Sequence, residues 1–158
     1  MPSDMSENSL EKTLVDGLVA SGWRQTDDSG FDAAVGIDMA ELTAFLQATQ
    51  PELIEALDLE GTSNVRTKAL ARIQGEITKR GIIDVLRKGI EHGAHHIDLF
   101  YGTPSPGNDQ AAERYATNRF TVVRQLHFSP VEKGLSLDVA LFINGLPVVT
   151  FELKNSLT

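Results

Sequence analysis

The sequence predicts a mixed fold, α/β of the α+β kind, in which helices come first and antiparallel strands come last. Three observations predict it. Apolar residues recur at helical spacing through the N-terminal half. β-branched and aromatic residues crowd Arg119 to Phe128. The stretch from Leu135 to Lys154 is apolar nearly throughout and is interrupted by Asn144-Gly145-Leu146-Pro147, which reads as the turn of a β-hairpin.

The elements follow in order. The first helix begins near Ser6 to Ser9 and runs to about Ser21, with Gly22 just past its end. Leu10, Leu14 and Leu18 line one side with Val15 and Val19 beside them, and Glu11 borders this apolar stripe rather than the wet face. Residues 24 to 36 read as loop, because Asp27, Asp28, Ser29 and Gly30 are turn formers. Asp38-Met39-Ala40-Glu41 resembles a capping box and starts a helix through Phe45 and Leu46. Pro51 suits the first turn of another short helix through Ile54 and Leu57. Gly61-Thr62-Ser63 opens a longer helix with Val65, Ala69, Ile73 and Ile77 on its core side and Leu70 beside them; Gly81 ends it. Ile82 to Ile90 is a shorter helix, packed through Ile83, Leu86 and Ile90 and closed by Gly93. Residues 102 to 108 form a Gly- and Pro-rich loop. Arg119 to Phe128 is a strand, and the hairpin follows.

A chain of 158 residues without repeats fits one domain, 1–158, with a core of its own. With 41% apolar and 23% charged residues, it is neither disordered nor fibrous. There is no cysteine, which excludes disulfides and thiolate metal sites and fits a cytoplasmic setting. No apolar run approaches the length of a membrane span. The polar, acidic start from Met1 to Glu7 argues against a signal peptide. The net charge of -8 is the wrong sign for gripping nucleic acid unaided, since phosphate contacts supply most of that affinity. Either the chain does not act on nucleic acid or something else holds it in place.

Chemistry concentrates in the hairpin. Three ionisable residues interrupt its apolar run: Asp138 on the first strand, Glu152 and Lys154 on the second. Buried charges are expensive unless paired or bound to a metal. Glu152 and Lys154 share a face by alternation. Whether Asp138 joins them depends on parity. A two-residue turn at Asn144-Gly145 pairs Asp138 with Phe151 and turns Glu152 away. An odd connection, made by a three-residue loop or a bulge, sets Asp138 opposite Glu152, and this is the expected arrangement. Opposed carboxylates repel, and a bound Mg²⁺, which favours hard oxygen ligands, removes the penalty. The Leu153 carbonyl offers a further oxygen, and Lys154 can orient a water or steady phosphate charge. The reaction these groups suit is attack of water on a phosphodiester. The plainer reading is that the Glu152/Lys154 pair decorates a surface strand; the apolar context of Val139, Leu141, Ile143, Val148 and Phe151 argues against a wet edge.

These residues resemble the PD-(D/E)xK nuclease motif. Asn118 to Leu126, Asp138 to Pro147 and Phe151 to Asn155 together are similar to the N-terminal nuclease domain of the type I restriction enzyme R subunit. The Leu10-Glu11 helix, Gln50-Pro51 and Gly81 to Gly89 match more loosely. The resemblance implies a restriction-endonuclease-like core and Mg²⁺-dependent cleavage of double-stranded DNA. Asp138 and Glu152 are implied as metal ligands, Lys154 as the catalytic lysine, and Glu11 as a first-helix glutamate near the metal, although from the residues alone Glu11 reads rather as a helix-edge acid with a local partner. Leu137 stands where the family's proline precedes the aspartate. R subunits also carry an ATP-driven DNA translocase, and no G-x-x-x-x-G-K-[ST] loop occurs here. A following helix with a Gln/Tyr motif is missing too. The expectation is a fragment of a larger subunit, with ATP used elsewhere in it and the motor, methylase (M) and specificity (S) subunits gripping DNA.

Other features read more plainly. Gln125 lies in the strand before the hairpin and is read as structural. His92, His95 and His96 invite a metal assignment, but Gly93 breaks the spacing and a solvated turn is the better reading. Glu52, Glu55, Asp58 and Glu60 mark a solvated face, and Trp23 is a core anchor. Two other functions stay open: another nuclease of the same superfamily, and a non-catalytic docking module that keeps the fold.

Overall fold

The computed structural model describes residues 2–154, with side chains from Glu7 onward. Asn155, which belongs to the nuclease-like phrase, lies outside the described residues. A four-stranded sheet organises the molecule. Its strands are β1 (Arg24–Thr26), β6 (Phe120–Leu126), β7 (Leu137–Ile143) and β8 (Leu146–Phe151), in the order β1-β6-β7-β8. β1 runs parallel to β6, while β6, β7 and β8 are antiparallel neighbours. Helix α1 (Pro2–Ala20) packs on one face of this sheet. Val15 of α1 meets Val122, Val139 and Leu141 there, with Leu14, Leu18, Trp23 and Phe151 around them. The opposite face buries Val123, Leu126, Ala140 and Phe142 against Phe31 and Leu137.

A larger core lies beside the sheet. It joins α2 (Met39–Thr49), α3 (Glu52–Ala56), α4 (Asn64–Arg80) and α5 (Ile82–Lys88) to two small hairpins, β2–β3 (Phe31–Asp32, Ile37–Asp38) and β4–β5 (Ile90–His92, His95–Ile97). The Asp38 carboxylate caps α2 by accepting from the Glu41 N–H at 3.2 Å. Glu41 does not complete a capping box; its carboxylate is drawn to two arginines instead. The β7–β8 turn seats against this cap: Asp38 N–H donates to the Gly145 carbonyl at 2.9 Å. Leu146, next in the chain, is fully buried in the helical core. The tip thus locks the sheet to the helices.

Several local expectations change. The segment expected as loop from 24 to 36 contains β1, whose polar Arg-Gln-Thr sequence carries no strand signal and is held by pairing with β6. The expected helix from Ile82 to Ile90 stops at Lys88, because Gly89 takes φ 72°. Ile90 then starts β4, and Gly93 turns a hairpin rather than ending a helix. Ile83 is exposed and Val85 takes the buried place. Leu10 and Val65 are also exposed, although each falls on its helix's apolar period. One helix carried no expectation: α6 (Asp109–Ala116), capped by the Asn108 side chain, which accepts from the Ala111 N–H at 3.0 Å.

Candidate active site

The hairpin reaches the expected odd parity through a bulge and not through a three-residue loop. Asn144 and Gly145 form a two-residue turn, with φ of 52° and 83°, the primed geometry that Asn-Gly favours. Ile143 therefore pairs with Leu146. One residue is then gained on β8: Phe142 pairs with Pro147 but Leu141 pairs with Val149, so Val148 is a bulge. Beyond it Val139 pairs with Phe151, which sets Glu152 in line with Asp138 one step further. β8 ends at Phe151, and Glu152 and Lys154 follow as exposed residues outside the ladder.

A second irregularity lies across β6 and β7. Strict alternation would send Asp138 to the same face as Ala140 and Phe142, away from α1. Yet Leu126 and Leu137 share a core with Val123 and Ala140, three residues away on each strand. The skipped step falls at Gln125 and Asp138, where Gln125 adopts φ 52° inside a strand. Two consecutive side chains of β6, Arg124 and Gln125, consequently both reach Glu11 on α1. Arg124 Nε donates to Glu11 Oε1 at 2.7 Å and Gln125 Nε2 donates to Glu11 Oε2 at 3.1 Å. Gln125 Nε2 also lies 3.4 Å from Asp138 Oδ1, the long end of a hydrogen bond. The other Asp138 oxygen accepts the Leu153 N–H at 2.7 Å, which ties the chain after β8 to the site.

Glu7, Asn8, Glu11, Gln125, Asp138 and Leu153 line one cleft of about 250 Å³. Glu11 is 4% exposed, a depth at which a carboxylate needs partners, and Arg124 supplies the compensating charge. Of the four expected site residues, the structure brings Glu11 and Asp138 together. Glu152 and Lys154 stand next to this cleft in the chain but do not line it. Among the described residues no group of three or more His, Asp or Glu side chains is placed to hold a metal ion. Two carboxylates with water suffice for Mg²⁺, which keeps much of its hydration. The oxygen-only donor set of Glu11 and Asp138 therefore fits that ion. Gln125 and Arg124 are the members of the cluster that sequence reading passed over; a non-glycine residue at positive φ has no sequence signature.

The histidines form no such centre. His92 and His95 face each other across the β4–β5 hairpin, and His96 contacts Glu91 and, at 3.1 Å, Asp98. The Glu91 hydrogen bond raises the His96 pKa, against a smaller opposing effect of burial. Trp23 packs edge-on against Phe120 at 5.4 Å, as a core anchor does. Glu52, Glu55 and Glu60 are exposed and Asp58 half-buried.

A larger cleft, about 740 Å³, lies elsewhere, between the Asp28–Ala34 segment and the loop after β6. No helix of the described residues is long and apolar enough to cross a membrane. No curated protein and no solved structure matches the chain significantly. A family model does: the type I restriction enzyme R protein N terminus matches residues 4–158. The mixed sheet flanked by helices agrees with the restriction-endonuclease-like architecture. A match over nearly the whole length leaves one conclusion: the chain belongs to the family of type I restriction enzyme R protein N-terminal domains.

Proposed function

We propose that this domain is the Mg²⁺-dependent endonuclease of a type I restriction enzyme R subunit, hydrolysing phosphodiesters of double-stranded DNA. The single observation that carries the reading is the convergence of Glu11 and Asp138 on one cleft, with the backbone that leads from Glu152 to Lys154 hydrogen-bonded to Asp138. Asp138 and Glu11 would hold the cation in the cleft, with Glu152, next to it in the chain, as a further ligand. Mg²⁺ bound there supplies Lewis-acid stabilisation of phosphate charge and a more acidic water. Lys154, exposed and two residues beyond Glu152, is free to swing toward a phosphate or orient the attacking water. The Arg124 guanidinium neutralises Glu11, so the cleft does not carry two uncompensated negative charges before a cation arrives.

The acidic balance of the chain supports a division of labour in which other parts of the assembly would grip DNA: an ATP-driven motor in the same subunit, with the M and S subunits. One observation favours a second reading, a docking module that keeps the fold without catalysis. Both Glu11 oxygens and both Asp138 oxygens already have protein partners. The two readings separate in the assembled restriction complex. Asp138→Ala, Glu152→Ala and Lys154→Ala are each expected to abolish DNA cleavage while ATP hydrolysis continues. Wild-type cleavage in any one variant removes that residue from the mechanism, and wild-type cleavage in all three leaves the docking module.

A further inference from the structure

We propose that Gln125 is the positioning residue that gathers Glu11 and Asp138 into one cation site. The inference rests on the nuclease reading above and adds a part to it. Two properties of this residue act together. Its backbone sits at φ 52° at the penultimate position of an otherwise extended strand, a left-handed conformation that strains a residue with a Cβ. That kink is where the side-chain alternation of β6 and β7 skips a step. Without the skip, Asp138 would follow Ala140 and Phe142 to the sheet face opposite α1.

The side chain completes what the backbone begins. Ser136 Oγ donates to Gln125 Oε1 at 2.9 Å, which orients the amide so that its NH₂ end faces the acids. That NH₂ group donates to Glu11 at 3.1 Å and reaches Asp138 at 3.4 Å. A neutral two-proton donor can bridge two carboxylates without adding to the positive charge that Arg124 already sets against Glu11, so the Asp138 charge stays available for a cation. A lysine in its place would occupy the cation's electrostatic role. A purely structural kink would be served better by glycine, which adopts positive φ without strain. An amide that reaches both acids from a strained backbone position is what points to this role.

The test uses Mn²⁺ as the probe, with calorimetric titration and thermal melting of the full 158-residue chain as readouts. Gln125→Gly is expected to melt no lower than wild type without metal, since strain is relieved, yet to bind Mn²⁺ about 10–100-fold more weakly, the usual loss when a group orienting a metal ligand is removed. Gln125→Asn, which tolerates the same backbone and keeps an amide, is expected to recover part of that loss. Asp138→Ala serves as the reference for a lost ligand. Wild-type Mn²⁺ affinity in Gln125→Gly, with affinity lost in Asp138→Ala, overturns the inference and leaves the nuclease reading standing. Absence of Mn²⁺ binding by the wild-type chain overturns both. Should Gln125→Gly prove too unstable to titrate, Gln125→Ala takes its place with the same two outcomes for affinity.

Discussion

Glu41 shows how this protein keeps a carboxylate indoors. Burial alone pushes its carboxyl up, but hydrogen bonds and charge from Arg119 and Arg24 outweigh that and hold it below the ordinary glutamate value. Arg119 Nε donates to Glu41 Oε2 at 2.6 Å, and Arg24 Nη2 donates to Glu41 Oε1 and Oε2 at 2.8 and 2.7 Å. A carboxylate whose folded pKa is depressed contributes stability that is fully present above its unfolded value of about 4.5 and is lost as pH falls through the folded value. Both arginines are partly exposed, so water screens the interaction. Glu41→Gln is accordingly expected to cost about 1–2 kcal/mol at neutral pH. That deficit should shrink toward zero in acid. Urea denaturation of both proteins across the acid range measures it, and a constant difference at every pH would contradict the assignment. Glu11 is likewise buried against an arginine, Arg124, at 2.7 Å. The glutamate on α1 was legible as a residue bordering an apolar stripe. Its partner was not, because nothing in Arg124's neighbours says that two successive side chains will turn to one face.

Among the elements, the β7–β8 hairpin carries the most information per residue. Asn-Gly between apolar runs signals a tight turn, and the turn forms. Asn144 is fully buried, and its side chain also accepts the Arg119 N–H at 2.7 Å and donates to the Leu99 carbonyl at 2.8 Å. Gly145 is required twice, by its φ of 83° and by space: a Cβ there would lie 2.7 Å from Leu42 N and would also strike the Asp38 carbonyl. Gly145→Ala should therefore cost more than about 1 kcal/mol, read as a lowered denaturation midpoint. It should also loosen α2, whose cap the turn touches. A midpoint equal to wild type would mean that the turn can withdraw from α2 at no cost. Odd parity was the expectation from sequence, but whether a three-residue loop or a bulge would supply it was open, and the structure uses the Val148 bulge. Its cause is tertiary: Val148 packs against both the helical core and the α1-facing core, and one added residue lets β8 serve both. The short strands β1 and β4 were missed for a related reason. Three-residue strands are too brief for a periodic signal and exist because a longer partner or a tight turn holds them.

At the scale of the whole molecule, charge and architecture pull in different directions. The fold assembles a carboxylate cleft suited to a cation, while the net charge of -8 repels the polyanion on which that cation would act. The chain by itself is expected to show little or no plasmid cleavage in Mg²⁺, and the assembled complex to cleave. Gel analysis of plasmid topology decides this, and efficient cutting by the chain alone would show that it needs no help to hold DNA. The sequence by itself determined the helix-then-strand order, the hairpin and its Asn-Gly turn, the cap at Asp38 and the acids worth testing. These depend on neighbours in the chain, where periodicity and turn chemistry act. Only the tertiary structure decided which acids meet. Glu11 and Asp138 come from opposite ends of the chain, and their meeting depends on α1 docking over the sheet and on one left-handed residue in β6. Both are set by how apolar faces fill space, which no local pattern records.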